Sequence, residues 1–191
     1  FISDAIYEGK LMSDPVNDKQ IIQVPDNYHG ALDKEAGIIF VPVEHEGNTQ
    51  ASDEEVTVIQ QLANKLLGRT FTNKEGIQRE ISWNDILFVA PYNHQVNKLK
   101  QTLGDRAKVG SVDKFQGQEA PVVFLSMCAS DASESPRGID FLFDKHRLNV
   151  AVSRAQSLAI VVGNPQLAGT PANSIEQLAL VNVFSALNAY A

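Results

Sequence analysis

Two hydrophobic rhythms divide the chain. Wholly apolar runs stand at 86–90, 122–125 and 158–162, with a β-branched and aromatic run at 37–43 and a short one at 108–109. Runs of this kind, bounded by polar turns, predict buried strands. Between them the apolar residues recur at helical spacing. Val56, Ile59, Leu62, Ala63, Leu66 and Leu67 follow Ser52 and Glu55, whose spacing is that of a capping box, and Gly68 ends the helix. Val96, Leu99 and Leu103 make one face of a second helix stopped by Gly104. Residues 145–156 predict a third. Ser174 and Gln177 open a last helix that carries Ile175, Leu178, Val181, Phe184 and Leu187 on its apolar side. Residues 1–36 mix a small apolar group with acid- and turn-rich stretches around Asp14 and Pro25, and predict an irregular, partly helical arm ahead of a regular body at 37–191.

Strands that are apolar on both faces, alternating with amphipathic helices, predict an α/β fold with a mainly parallel sheet covered on both sides. In such sheets functional residues gather just past the carboxyl ends of strands. That rule points to Pro91 and Tyr92, to the segment after Val109, to the loop after Met127, and to Gly163 with Asn164. Residues 129–138 are the most loop-like stretch and the one expected to be most mobile.

Composition narrows the classes. With 191 residues, 43% hydrophobic and 20% charged, the chain suits one globular domain with a sizeable core. Cys128 is the single cysteine, which excludes an internal disulfide framework and a cysteine metal cage and fits a reducing compartment. No apolar run approaches the length of a bilayer span and no basic–apolar leader opens the chain, so a cytoplasmic or otherwise intracellular location without membrane contact is expected. Phe1 in place of an initiator methionine predicts a piece of a longer polypeptide. The net charge is −7 but uneven: residues 1–60 hold 3 lysines against 12 acids, and residues 61–191 hold 13 basic residues against 11 acids. A local basic strip between Tyr92 and Lys114 is compatible with a phosphate chain, and equally with a solvated helix face.

Three segments hold candidate chemistry. Residues 110–119 form a polar connection punctuated by Gly117, able to hold a phosphate, a ribose or a nucleic-acid backbone, or to be a long hydrogen-bonded turn. Arg147 and Arg154, seven apart on the predicted helix, would aim two guanidinium groups one way, toward phosphate or toward surface ion pairs. Pro91, Tyr92 and Gln95 sit where a strand gives way to a helix, whose free amides suit an anion; Tyr92 would stack on a base or pack as a plug. His94 has no second histidine at ligand spacing, so no metal site is assigned.

The order of these segments is more specific than any one of them. Tyr-Glu-Gly-Lys-Leu (7–11), Pro-Val-Glu-His-Glu-Gly (42–47), Ser-Asp-Glu-Glu-Val (52–56), Val-Ala-Pro-Tyr-Asn-His-Gln-Val (89–96), Ser-Val-Asp-Lys-Phe-Gln-Gly-Gln-Glu (111–119) and Arg-Leu-Asn-Val-Ala-Val-Ser-Arg-Ala (147–155) follow one another. Together they resemble the second, C-terminal RecA-like motor lobe of superfamily 1 helicases. Within these, the chain looks most like the branch containing the nonsense-mediated-decay helicase and the replication helicase–nuclease, which typically carries Arg-Leu-Asn-Val-Ala in its last motif.

The resemblance implies a three-layer P-loop-NTPase-type fold that lacks the P-loop itself, with 37–191 as the second motor domain. It implies ATP and Mg²⁺ held mainly by an absent upstream lobe, and single-stranded DNA or RNA as partner. By it, Arg154 is the arginine finger; Gly117, Glu119 and Gln116 meet the nucleotide; Pro91, Tyr92, Gln95, Ser111 and Val112 lie on the strand-binding side; Arg147 supports its motif. Ser153 replaces a usual threonine and Gln156 a frequent basic residue. No Gly-x-x-x-x-Gly-Lys-Ser/Thr loop is present, and Asp53 with Glu54 opens a helix where a magnesium site would not lie. An isolated lobe of this kind is expected to be catalytically silent. The rival readings are a RecA-like docking module for nucleic acid or protein, and a phosphate-ester hydrolase, which would need carboxylates clustered at strand ends.

Overall fold

In the computed structural model, which describes residues 19–190 apart from Gln116, Glu134 and the side chains of Lys145, His146, Leu187, Asn188 and Tyr190, each long apolar run forms a strand. The elements are β1 (Ile21–Ile22), β2 (Gly37–Pro42), α1 (Asp53–Leu66), β3 (Thr70–Thr72), β4 (Gln78–Glu80), β5 (Ile86–Val89), α2 (Asn93–Leu103), β6 (Lys108–Gly110), β7 (Ala120–Ser126), α3 (Gly138–Leu142), α4 (Lys145–Ser153), β8 (Ala155–Gly163) and α5 (Ile175–Tyr190). Short 3₁₀ turns occupy Trp83–Asp85, Asp113–Phe115 and Pro165–Gly169.

Five strands pair in parallel in the order β2-β8-β7-β5-β6. Successive residues of a strand face opposite sides, so the continuous apolar runs feed two cores. Leu87, Val89, Val123, Leu125, Ala159 and Val161 enter one, with Ile139 of α3, Leu148 of α4 and Phe184 of α5. Ile86, Phe88, Val122, Phe124, Leu158 and Ile160 enter the other, beneath Ile59, Leu62 and Leu66 of α1 and Val96 and Leu99 of α2. Phe88 and Phe124, both fully buried, stack at 5.3 Å with their planes 7° apart. Such a pair contributes about 0.5–1.5 kcal/mol beyond its area burial. The result is a three-layer, RecA-like α/β domain.

Four expectations change. The helix predicted over 145–156 stops at Ser153, because Ala155 pairs with Ala120 and the ladder takes over from there. The first turn of α5 is not docked: Ile175 is 83% and Leu178 51% exposed, while Val181 and Phe184 are buried, Phe184 against Phe40 and Phe143, and the Leu187 side chain lies outside the described residues. The loop after Met127 is not an open one, since Met127, Cys128, Ala129, Ser130, Ala132 and Ser135 are all buried. Finally, residues 1–18 of the predicted arm lie outside the described residues, but Ile22 and Leu32 of its remainder are fully buried in the α1–α2 core.

That remainder contributes β1 to a small antiparallel sheet, β1-β3-β4. It was not legible in the sequence because its strands are two or three residues long and rich in Thr, Gln, Arg and Glu. An ion pair ties β4 to the start of β5: Arg79 Nη1 lies 2.7 Å from Asp85 Oδ1, and Asp85 Oδ2 accepts from the Ser82 amide (2.8 Å) and hydroxyl (2.7 Å). Burial disfavours the Asp85 carboxylate, but Ser82 and Arg79 outweigh it and hold its pKa below the ordinary 3.8. A depressed carboxylate stabilises the fold above its unfolded pKa and ceases to as pH falls through the folded one. Asp85→Asn is therefore expected to lower stability at pH 7, with the gap to the parent chain narrowing as the pH drops below about 3.8. Urea titrations across that range test it; a gap that is unchanged in acid contradicts the assignment. Among the described residues no helix is long and apolar enough to cross a membrane.

Candidate functional site

The segment at 111–119 owes its shape to the parallel sheet. Val89 pairs with Gly110 on one side and Leu125 on the other, so β6 ends level with the late part of β7. To begin β7 at Ala120 the chain must return about 17 Å toward the amino edge of the sheet. It does so without a full helix. The turn is closed by Lys114 N donating to Ser111 O (3.1 Å), Phe115 N to Val112 O (3.2 Å) and Gln118 N to Phe115 O (3.0 Å), and Phe115 is buried as its anchor. Gly117 sits at φ +77°, a conformation costly for residues with a Cβ. One end of this crossover therefore lies at the carboxyl edge (Ser111, Val112) and the other at the amino edge (Glu119). Gln116, between them, is outside the described residues.

At the carboxyl edge a hollow of about 320 Å³ is lined by Pro91, Tyr92, Asn93 and His94, by Ser111, Val112 and Asp113, and by Gln50, Pro136, Arg137, Phe141 and Arg147. Four residues predicted for strand contact, Pro91, Tyr92, Ser111 and Val112, thus share one cavity. Tyr92 is the N-cap of α2 and offers no side-chain cap, leaving the first-turn amides available to an anion. Its ring is packed rather than free: 6% exposed and 5.1 Å from the Phe141 ring. Burial pushes the Tyr92 phenol up, and its hydroxyl faces Ser135 and the Arg137 main chain without a hydrogen bond of good geometry. Of the two options for this ring, the plug is the one realised.

Gln95 corrects the sequence reading. It is fully buried, its Oε1 accepts from Ser52 N (2.9 Å), and its Nε2 donates to Ser52 O (3.2 Å) and Ser126 Oγ (2.8 Å). All three bonds are internal, so the side chain cannot touch a ligand. It belongs to a buried network centred on Glu55. The Glu55 carboxylate accepts from Ser126 Oγ (2.5 Å), from Cys128 N (3.0 Å to both oxygens) and from His45 Nε2 (3.0 Å). His45 Nδ1 meets Ser130 Oγ at 2.7 Å, and Asn164 Nδ2 donates to His45 O at 2.6 Å. The predicted capping box is thus half formed. Ser52 Oγ accepts from Glu55 N (3.1 Å), while the Glu55 side chain turns inward instead of back to Ser52 N, which Gln95 has taken. Cys128, at φ +53°, is sealed in the same region; burial first and the Glu55 charge second push its thiol well above the ordinary range.

At the amino edge, Glu119 and Arg154 each immediately precede one member of the Ala120–Ala155 pair, and Ala120 N donates to Arg154 O at 3.1 Å. Glu119 is exposed and borders a hollow of about 260 Å³ with Gln156 and the β3–β4 hairpin. Arg154 is half-buried; its Nη1 donates to Gln118 O (3.0 Å), and its buried Nε has no hydrogen-bond partner among the described residues. The two arginines expected to aim one way are instead parted. Arg147 starts α4 at the carboxyl-edge hollow, with its guanidinium 4.1 Å over Phe141, whereas Arg154 follows the last turn at the amino edge. The seven-residue spacing put them on one side of the helix but about 10 Å apart along it. Sequence reasoning also passed over Arg137 and Phe141; the signal available was a cation followed four residues later by an aromatic, where the segment beyond a strand's carboxyl end enters a short helix. Among the described residues no group of His, Cys, Asp and Glu is arranged to hold a metal ion.

A family model described as an AAA domain matches residues 1–166. DNA polymerase alpha-associated DNA helicase A of Saccharomyces cerevisiae is 32% identical over 177 residues, 86% of this chain and 25% of that protein. Putative helicase mov-10-B.2 of Danio rerio is 41% identical over 112 residues, 51% of this chain and 11% of that protein. Human RNA helicase Mov10l1 is 40% identical over 98 residues, 48% of this chain and 8% of that protein. The chain spans a quarter or less of the length of these curated relatives.

Proposed function

Because the chain belongs to the AAA domain family, as a helicase motor domain, we propose that it is the C-terminal RecA-like lobe of an ATP-dependent superfamily 1 helicase. Its Arg-Leu-Asn-Val-Ala segment at 147–151 favours the branch named above. The observation that carries this reading is the pairing at the amino edge: an exposed carboxylate, Glu119, and a guanidinium, Arg154, immediately ahead of neighbouring strands, with Arg154 Nε unsatisfied among the described residues.

A buried guanidinium nitrogen without an acceptor is unfavourable in the free lobe and is relieved by an anion. Arg154 leaves the Gln118 carbonyl for the γ-phosphate of ATP when an upstream lobe docks here, and it opposes the charge that spreads over the phosphoryl oxygens in the transition state. Glu119 and Gly117 form the wall that registers the nucleotide, and the resemblance gives Gln116 a part in the same contact. Mg²⁺ falls to the upstream lobe in this reading, as the resemblance implies. The carboxyl edge carries single-stranded DNA or RNA across Pro91, Ser111 and Val112, with Tyr92 supporting the floor. The crossover at 111–119 joins both edges, so a shift at Glu119 reaches Ser111 through one short, Phe115-anchored turn.

The division of labour makes a direct expectation. The 191-residue chain alone, given Mg-ATP with poly-dT or poly-U, should release no phosphate above background. Turnover that disappears in Arg154→Ala would refute the assignment of the missing machinery to another lobe. In the complete protein, stimulation by poly-dT against poly-U decides between DNA and RNA.

A further inference from the structure

We propose that Arg137 and Arg147 together grip one backbone phosphodiester of the bound strand, using Phe141 as a rigid backing; the inference rests on the strand lying along the carboxyl edge. The guanidinium carbons of Arg137 and Arg147 lie 4.5 Å and 4.1 Å over the same Phe141 ring, and both side chains line the hollow that holds Ser111 and the start of α2. Neither arginine is in an ion pair among the described residues. Two cations held against one ring at the rim of one hollow raise its positive potential, and an anion bound in that hollow lowers it. Contact with the ring restrains both side chains, so less freedom is lost when they bind oxygen.

The hollow also identifies the kind of anion. Asp113 is the single acid among the described residues of its lining, a carboxylate that opposes a doubly charged phosphate more than a singly charged diester. Pro91 and Val112 supply apolar surface for a sugar beside the polar groups. Arg137 lies outside every motif segment quoted for the resemblance, in a loop whose preceding part is pinned by Cys128 N and Ser130 to Glu55 and Asn48. Beside it, Gly138 N donates to Ser135 O (2.8 Å), and the exposed Arg137 side chain lines the hollow.

The test uses the chain itself, a fluorescein-labelled dT₁₂ or U₁₂, and anisotropy titrations from about 25 to 200 mM KCl. Arg137→Ala is expected to weaken binding about three- to tenfold at low salt and to flatten the log–log salt dependence by a part of about 0.7, the contribution of one phosphate on a single strand, because Arg147 still holds that phosphate. Arg137→Lys should restore the salt slope and only part of the affinity, since it keeps the charge and loses the planar fork. An abasic oligonucleotide of the same length should show the same loss on Arg137→Ala; a loss seen only with bases present overturns the phosphate assignment. Ser111→Glu reports on the edge as a whole. If it abolishes binding while Arg137→Ala changes neither affinity nor slope, this proposal fails and the strand-edge reading stands. If the parent chain binds neither oligonucleotide, both fall.

Discussion

Replacing Arg154 with alanine in a polypeptide that carries both lobes is expected to lower kcat for ATP hydrolysis about 10³-fold or more, with single-strand affinity changed less than about twofold. The asymmetry follows from position. Arg154 lies at the amino edge against Gln118 O, while the residues proposed for the strand line a hollow at the opposite edge. Its guanidinium gains most where charge develops, so the loss falls on kcat and not on nucleotide affinity. Arg154→Lys should recover little, because an ammonium cannot reproduce two in-plane donors. Stopped-flow phosphate release and nucleotide binding on the same preparations separate the two effects. A kcat reduced less than about tenfold, or a loss confined to KM, would remove Arg154 from the chemistry.

The second large effect concerns stability. Glu55→Ala is expected to destabilise the domain by about 3–5 kcal/mol, the usual cost of removing one member of a fully buried charged network. Glu55 and the His45 side chain are sealed from solvent. Without the carboxylate, Ser126 Oγ, Cys128 N and His45 Nε2 lose their acceptor together, and each is buried where water cannot replace it. Glu55→Gln keeps the shape and part of the accepting capacity, so its loss should be smaller. Urea unfolding of the two variants against the parent measures both. A drop under about 1 kcal/mol for Glu55→Ala would mean that the network relaxes or hydrates at little cost. A destabilised Glu55→Ala should also expose the Cys128 thiol to alkylation, which burial otherwise blocks.

The same network explains why part of the site could not be read ahead of the structure. Gln95 stands beside Tyr92 at the start of a helix, and spacing alone offers no reason to separate their roles. Its side chain is withdrawn because Ser52 and Ser126, 43 and 31 residues away in sequence, present matching groups. Glu55 likewise satisfies the local rule for a cap, yet donors from the end of β7 outcompete the single amide available nearby. Arg137 and Phe141 drew no notice because neither belongs to a periodic pattern; they matter through what the fold brings around them.

What the linear pattern did settle was the architecture: continuous apolar runs require strands with two covered faces, and such strands between amphipathic helices leave few arrangements besides a parallel three-layer sheet. Strand ends pointed to Pro91 and Tyr92 and to the segment after Val109; the grouping of Glu119 with Arg154 came from the resemblance alone. Which edge each pair occupies was decided only by three-dimensional pairing. Val89 meeting both Gly110 and Leu125 forces the 111–119 crossover to span the sheet, and Ala120 meeting Ala155 sets Glu119 next to Arg154 and far from Arg147. Helical and strand periodicities are local, a few residues long, and survive in the sequence. Hydrogen-bond partners and strand register join residues tens of positions apart, and no local spacing encodes them.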